Sequence, residues 1–239
     1  MMGYLIEITS DNKHDAAIEF REKILIEYEK WFSGSIPSLY GTPNPNEDEK
    51  EELGSLRENA ILTWAKMHQE RMYLEMLRAP PEIFAGMRVL DIGSGGIPSG
   101  LCFTECEIYC LDPLIPTFQE LDYPFHFYEH RATFVQGKAE HIPFPSCHFD
   151  AVISVNALDH VDNISKTALE IQRVLKKDGL LRLSVNYHQP TILEPIELCD
   201  DVIEQHFVWC GDFHKIAEWD NGTTSNEPLV ETYALWSNF

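Results

Sequence analysis

The segment Val89-Leu90-Asp91-Ile92-Gly93-Ser94-Gly95-Gly96-Ile97-Pro98-Ser99-Gly100 constrains the fold more than any other: a short apolar strand passes through an acidic residue into a glycine-rich turn. Gly93 and Gly95 carry no Cβ, so the backbone can take left-handed torsions and a ligand can approach it closely. A second apolar run, Ile108-Tyr109-Cys110-Leu111, closes on Asp112. Its distance from the first motif is close to the spacing of about 20 residues at which the acid of a βαβ unit meets a ribose diol. The two segments predict a nucleoside site at the carboxyl ends of adjacent parallel strands.

Details of the turn separate the ligand classes. The pyrophosphate fingerprint GxGxxG needs a third glycine for close helix packing, and Pro98 stands there instead. Asp91, just ahead of the turn, suits an ammonium group better than a phosphate. The expected ligand is a positively charged, phosphate-free nucleoside. Taken singly, the glycines also fit a plain strand-to-helix turn and Asp112 fits a cap ahead of Pro113. Their joint spacing favours the binding site.

Three further segments follow in order: Val135-Gln136-Gly137-Lys138-Ala139-Glu140-His141-Ile142-Pro143-Phe144, Phe149-Asp150-Ala151-Val152-Ile153-Ser154 and Arg173-Val174-Leu175-Lys176-Lys177-Asp178-Gly179-Leu180-Leu181. With Asp91-Ile92-Gly93-Ser94-Gly95 they resemble the ordered motifs of the class I, Rossmann-like S-adenosylmethionine-dependent methyltransferases, in the small-molecule group related to ubiquinone-biosynthesis methyltransferases. The resemblance spans about residues 86–190. It implies an α/β fold: a three-layer αβα sandwich on a mostly parallel seven-stranded sheet with an antiparallel C-terminal edge hairpin. It also implies S-adenosyl-L-methionine as cofactor, S-adenosyl-L-homocysteine as product and an oxygen or nitrogen of a small molecule as methyl acceptor.

Carried over motif by motif, Asp91, Gly93 and Gly95 match positions that hold the methionine moiety, with Ser94 beside them. Asp112 matches the ribose acid, with Pro113 after it, and Ala139 the position whose amide meets the adenine edge. The family usually has an acidic residue just before that alanine. This chain has Lys138, and Glu140 is the candidate substitute.

Methyl transfer is an in-line displacement, so alignment of the nucleophile contributes most, up to about 7–11 kcal/mol in favourable systems. A hydroxyl acceptor gains a further factor of about 10²–10⁴ from a general base. Candidates cluster in Asn156-Ala157-Leu158-Asp159-His160-Val161, where His160 stands at a position often histidine in relatives and Asp159 replaces what is often a second one. Tyr187 and His188 follow the fifth strand and are expected to face the same cleft, which makes His188 the second candidate base. Asn156 is placed to hydrogen-bond cofactor or substrate. A structural role for His160 is the competing reading. No metal is expected: the histidines lack an HxxxH pair with a third ligand, and His206, Cys210 and His214 span a helix exit and Gly211.

Two rival functions use the same fold. A polyamine-synthase-like transferase needs further acid in the cleft for an amine substrate, which Asp159 supplies; an NAD dehydrogenase is disfavoured by Pro98. A non-catalytic cofactor-binding scaffold subunit remains the other, because function resides in the site and not in the fold.

Charge narrows the partners: 39 acidic against 18 basic residues give a formal charge of -21, which repels phosphate backbones and anionic lipid. Nucleic acid and membrane are therefore excluded as expected partners, leaving a small-molecule substrate and a monomer or homodimer. No apolar run approaches the roughly 20 residues of a membrane span, and no basic-then-apolar leader opens the chain, so a cytoplasmic location is expected. The six cysteines lack a CxxC pair and read as reduced, mostly buried residues.

Two regions are expected: residues 1–85, a mainly helical extension or substrate lid, and 86–239, the cofactor-binding core. Tyr4–Ile8 reads as a short strand. Ser10 or Asp11 caps a helix with apolar positions Ala17, Phe20, Ile24, Tyr28 and Trp31, stopped by Gly34. The charged run Glu47–Glu52 begins or precedes a solvated helix, and Ser55-Leu56-Arg57-Glu58 has the capping-box pattern ahead of a stripe Leu56, Ala60, Trp64, Met67, Leu74. Tyr40, in the loop between, is the aromatic least explained by packing and a candidate substrate contact, as is Tyr187. Strands at 88–92, 107–111, 133–136, 150–155 and 180–186 alternate with helices from about Ser99, near 114–121 and over 164–176, the last closed by Lys176, Lys177 and Gly179. After residue 190 a helix over 196–206 and strand-like segments at 207–209, 215–219 and 232–236 are expected.

Overall fold

The computed structural model describes residues 10–220 and 232–239. The Tyr4–Ile8 segment lies outside the described residues. Seven strands form one sheet: β1 Arg88–Ile92, β2 Glu107–Asp112, β3 Ala132–Gln136, β4 Phe149–Val155, β5 Leu175–Tyr187, β6 His214–Asp220 and β7 Thr232–Ser237. Their order is β3-β2-β1-β4-β5-β7-β6, parallel from β3 to β5, with β7 antiparallel to both of its neighbours. β1 sits between β2 and β4, and four of its five residues are buried, as a central parallel strand requires. The order reverses at β1, which opens a crevice beyond the carboxyl ends of β1, β2 and β4.

Alternation along β1 divides two cores. Leu90 and Ile92 pack with Val152, Leu183 and Ile171, the last from α5, Ile164–Val174. On the other face, Val89 packs with Ile108, Ala151 and Ile153 against Tyr73 and Leu77 of α3, Glu70–Leu77. Asp91 shares the face of Val89 and so points toward α3. A third cluster joins α1 (Ser10–Phe32) and α2 (Leu56–Trp64) to the sheet domain: Trp31, Tyr28 and Trp64 pack with Ile97, with Ile115 and Phe118 of α4 (Ile115–Glu120), and with Tyr123. α2 and α3 run on through a π-helical turn, Ala65–Gln69, which rotates the buried face from the third cluster to the second.

Several expectations are corrected. The helix expected from Ser99 is one 3-10 turn, Ser99–Cys102: the connection 93–106 is short and rich in glycine, and α3 from the N-terminal region covers the sheet face that a crossover helix would have covered. The 164–176 helix stops at Val174, because Leu175 is already extended and pairs with Phe149; Lys176, Lys177 and Gly179 belong to β5. The helix near 196–206 is α6, Asp200–Phe207, and of the three C-terminal segments 207–209 is not a strand. Leu56 is exposed, so the α2 stripe begins at Ala60. Glu47–Glu52 is a loop that precedes α2, the second of the two placements expected for it. Cys102, Cys110 and Cys210 are buried, whereas Cys147 and Cys199 are exposed; all six cysteines are free. No helix among the described residues is long and apolar enough to cross a membrane.

Candidate functional site

The glycine turn is held by the strand that follows it. Gly93 and Gly95 take φ of 71° and 68°, in the left-handed region that favours glycine. A Cβ on Gly93 would lie 2.2 Å from the Cβ of Ala157, so the close approach of the turn after β4 also requires this residue. Gly95 N–H donates to Asp112 Oδ2 at 3.0 Å, and Leu114 N–H donates to Asp112 Oδ1 at 2.8 Å. The carboxylate at the end of β2 thus organises both turns, and burial raises its pKa above the ordinary value.

Asp91 is fully buried, accepts a hydrogen bond from Tyr73 Oη at 3.0 Å, and leaves Oδ2 without a partner among the described residues. Burial, which outweighs the Tyr73 hydrogen bond, pushes its pKa up to about 8. Its Oδ2 lies against Gly100, where a Cβ would come within 3.1 Å of it.

Two cavities meet at Gly93, Asn156 and Arg21. The larger, about 570 Å³, is floored by Gly93, Asp112, Pro113, Leu114, Ala139, Glu140, Asn156 and His160, roofed by Lys13, Ala17, Phe20 and Arg21 of α1, and bordered by Leu193 and Glu194. The smaller, about 230 Å³, lies over Ser94, Gly95 and Gly96 and is walled by Tyr28, Met72, Tyr73, Met76 and Tyr123. Asn156 adopts φ of 49°, donates its N–H to Ser184 O at 2.9 Å, and carries a buried Oδ1 with no partner among the described residues. The Arg21 guanidinium lies 5.5 Å from the Phe118 ring centroid and has no carboxylate partner among the described residues.

Of the residues singled out in the sequence, Gly93, Asp112, Pro113, Ala139, Glu140, Asn156 and His160 line the larger cavity and Ser94 and Gly95 the smaller. Asp91, Tyr40, Asp159, Tyr187 and His188 line neither. Contrary to expectation, Tyr187 does not face the cleft: its hydroxyl donates to Asp200 at 2.8 Å and accepts from Trp236 Nε1 at 2.9 Å. Tyr40 is exposed and its ring rests near Trp64 and His68. Glu140 Oε1 already accepts from Asp162 N–H at 2.6 Å and Asn163 N–H at 3.0 Å, while Lys138 pairs with Asp162.

His188 stands behind the cavity wall, with Nε2 3.1 Å from Asp159 Oδ2 and Nδ1 2.7 Å from Gln189 O. Burial alone would lower its pKa, but the Gln189 carbonyl and the Asp159 and Glu194 carboxylates raise it overall. His160 turns Nδ1 to Leu193 O at 2.9 Å. Sequence reasoning missed Lys13, Arg21 and Glu194. Arg21 follows Phe20 in the helical stripe, the one signal that could have brought it to the site.

A sequence profile described as a methyltransferase domain matches residues 90–183. The chain is 31% identical over 178 residues, 72% of its own length and 69% of the relative's, to the uncharacterized methyltransferase YcgJ of Bacillus subtilis. Superposed on the crystal structure of that YcgJ protein it gives a TM-score of 0.55 at 18% identity, covering 71% of this chain and 97% of the other. The [4+2]-cyclase SpnF superposes with a TM-score of 0.54 at 14% identity, covering 77% and 83%. The last likeness shows that the fold serves more than one chemistry.

Proposed function

The chain belongs to the methyltransferase family, and on that premise we propose that it transfers the methyl group of S-adenosylmethionine to an oxygen or nitrogen of a small molecule. The observation that carries this reading is the left-handed glycine turn, stitched through Gly95 to Asp112 on the floor of a cavity of about 570 Å³. That volume is in the range of about 300–1,000 Å³ typical of small-molecule sites.

When bound, the cofactor supplies a methyl group already activated on a sulfonium. Asp112, whose two oxygens hold the Gly95 and Leu114 amides, has lone pairs left for adjacent ribose hydroxyls. Arg21 would take the carboxylate of the cofactor's amino-acid moiety, and the Ala139 amide the adenine edge. The unpartnered Asn156 Oδ1, between the two cavities, would orient cofactor or acceptor. His160 lines the cavity and would accept a hydroxyl proton at Nε2, since Nδ1 already faces the Leu193 carbonyl. α1 covers one side of the cavity with Lys13, Ala17, Phe20 and Arg21.

Isothermal titration with S-adenosylmethionine and S-adenosylhomocysteine tests the reading. Binding of both is expected, and Asp112→Ala should weaken it at least several-fold through lost hydrogen bonds. No binding by folded protein would overturn it, and unchanged affinity in the variant would remove the ribose assignment. Competition with decarboxylated S-adenosylmethionine separates the polyamine-synthase-like alternative.

A further inference from the structure

Beside the cavity, two loops bring together four groups that face one another. Asp159 and His160 lie in the 3-10 turn Leu158–His160 after β4, and His188 and Glu194 in the connection after β5. The backbone ties the loops together, Ile196 N–H donating to Asp159 O at 3.1 Å. His188 Nε2 lies 3.1 Å from Asp159 Oδ2 and 3.7 Å from Glu194 Oε2; His160 Nε2 lies 3.9 Å from Asp159 Oδ1 and 3.8 Å from Glu194 Oε1.

Each imidazole directs Nδ1 to a backbone carbonyl, Leu193 O for His160 and Gln189 O for His188. A carbonyl can only accept, so both Nδ1 atoms carry the proton and both Nε2 lone pairs turn toward the carboxylates. Carbonyl-anchored histidines of this kind are how metal-binding imidazoles are held in one tautomer. All four inward groups are then acceptors. One proton serves the short His188–Asp159 contact and leaves the rest unserved: Asp159 is fully buried, and its Oδ1, aimed toward His160, has no hydrogen-bond partner among the described residues. A tetrahedral ion with bonds of about 2.1 Å separates its ligand atoms by about 3.4 Å; His188 Nε2 lies 3.1 Å from Asp159 Oδ2 and 3.7 Å from Glu194 Oε2, and one ligand atom from each of the three residues lies within 4.8 Å of the others.

We propose that Asp159, His188 and Glu194 bind a divalent transition-metal ion, Zn²⁺ by the chemistry of the donor set, at the wall of the larger cavity, with the fourth position left open. An imidazole beside two carboxylates suits a borderline cation over Mg²⁺ or Ca²⁺. Glu194 also borders the cavity, so an acceptor reaching that wall would meet the ion, which favours an oxygen-donor acceptor. That last point rests on the methyl-transfer reading; the ion site does not.

Protein stripped with chelator and dialysed is titrated with Zn²⁺ by calorimetry and, separately, with Co²⁺ by visible absorption. One equivalent of each is expected to bind, with Co²⁺ bands of tetrahedral intensity, and Zn²⁺ should raise the melting temperature. His188→Gln and Asp159→Asn should each weaken Zn²⁺ binding at least tenfold; Glu194→Gln, at a less buried position, reads the same loss if a buried variant fails to fold. Absence of stoichiometric binding by folded protein, or equal affinity in the variants, would overturn the proposal. S-adenosylmethionine titration of the same stripped sample reports on the methyl-transfer reading independently.

Discussion

Asp91 shows how a single residue was legible in kind and not in state. Its type and place before the glycines announce a carboxyl for a cation, and the structure adds that it is wholly buried, with Tyr73 as its hydrogen-bond donor. With a folded pKa of about 8 against an ordinary value near 4, the unliganded folded chain keeps a proton that the unfolded chain releases. Between those two values the unfolded state binds fewer protons, so this group lowers stability as pH rises and leaves its full support only below about 4. Asp91→Asn should therefore flatten the decline in unfolding free energy from pH 4 to pH 8, measured by urea denaturation of the unliganded protein. Parallel curves for the two proteins would mean an unperturbed Asp91. The same distinction applies to His160 and His188: both were readable as titratable residues after parallel strands, but only the loop geometry gave one to the cavity and set the other behind it.

At the scale of elements, local chemistry was readable where it is short-ranged. The capping box is present as expected: Ser55 Oγ accepts from Glu58 N–H at 3.3 Å and Glu58 Oε2 accepts from Ser55 N–H at 2.8 Å. Ser55→Ala should cost about 1 kcal/mol, seen as a lower urea midpoint with an unchanged denaturant slope. α1 also runs to the turn at Gly34, whose φ is 78°. Its stripe was misleading in one respect. Ile24, Tyr28 and Trp31 enter a core, but Ala17 and Phe20 on the preceding turns roof a cavity, and periodicity treats both as burial. The missing crossover helix has the same origin, since only packing reveals that α3 already occupies that face of the sheet.

Across the whole molecule, Arg182 joins parts that are distant in sequence. It lies in the middle of β5, where a charged residue reads as solvent-facing, yet it is 5% exposed. Its guanidinium donates to the carbonyls of Leu77 and Arg78 at the end of α3 and to Ser237 Oγ in β7, and its plane covers the Phe239 ring at 5.0 Å. Arg182→Met keeps the stem and leaves those carbonyls unserved, at a cost of on the order of 3 kcal/mol. The check is the urea midpoint, and a change within error would show that water replaces the guanidinium.

The sequence by itself determined the parallel sheet, the glycine turn with its two flanking acids, and the family, because torsional freedom, strand alternation and motif order are written within a few residues of one another. Tertiary structure alone decided that α1 carries Arg21 and Lys13 over the crevice and that Asp159, His160, His188 and Glu194 face one another. Those residues sit in irregular loops beyond adjacent strands. The sheet order makes the loops neighbours, but no periodicity fixes where a side chain points once the chain leaves a strand; hydrogen bonds such as Ile196 to Asp159 and Leu193 to His160 do that, and they form only when the loops meet.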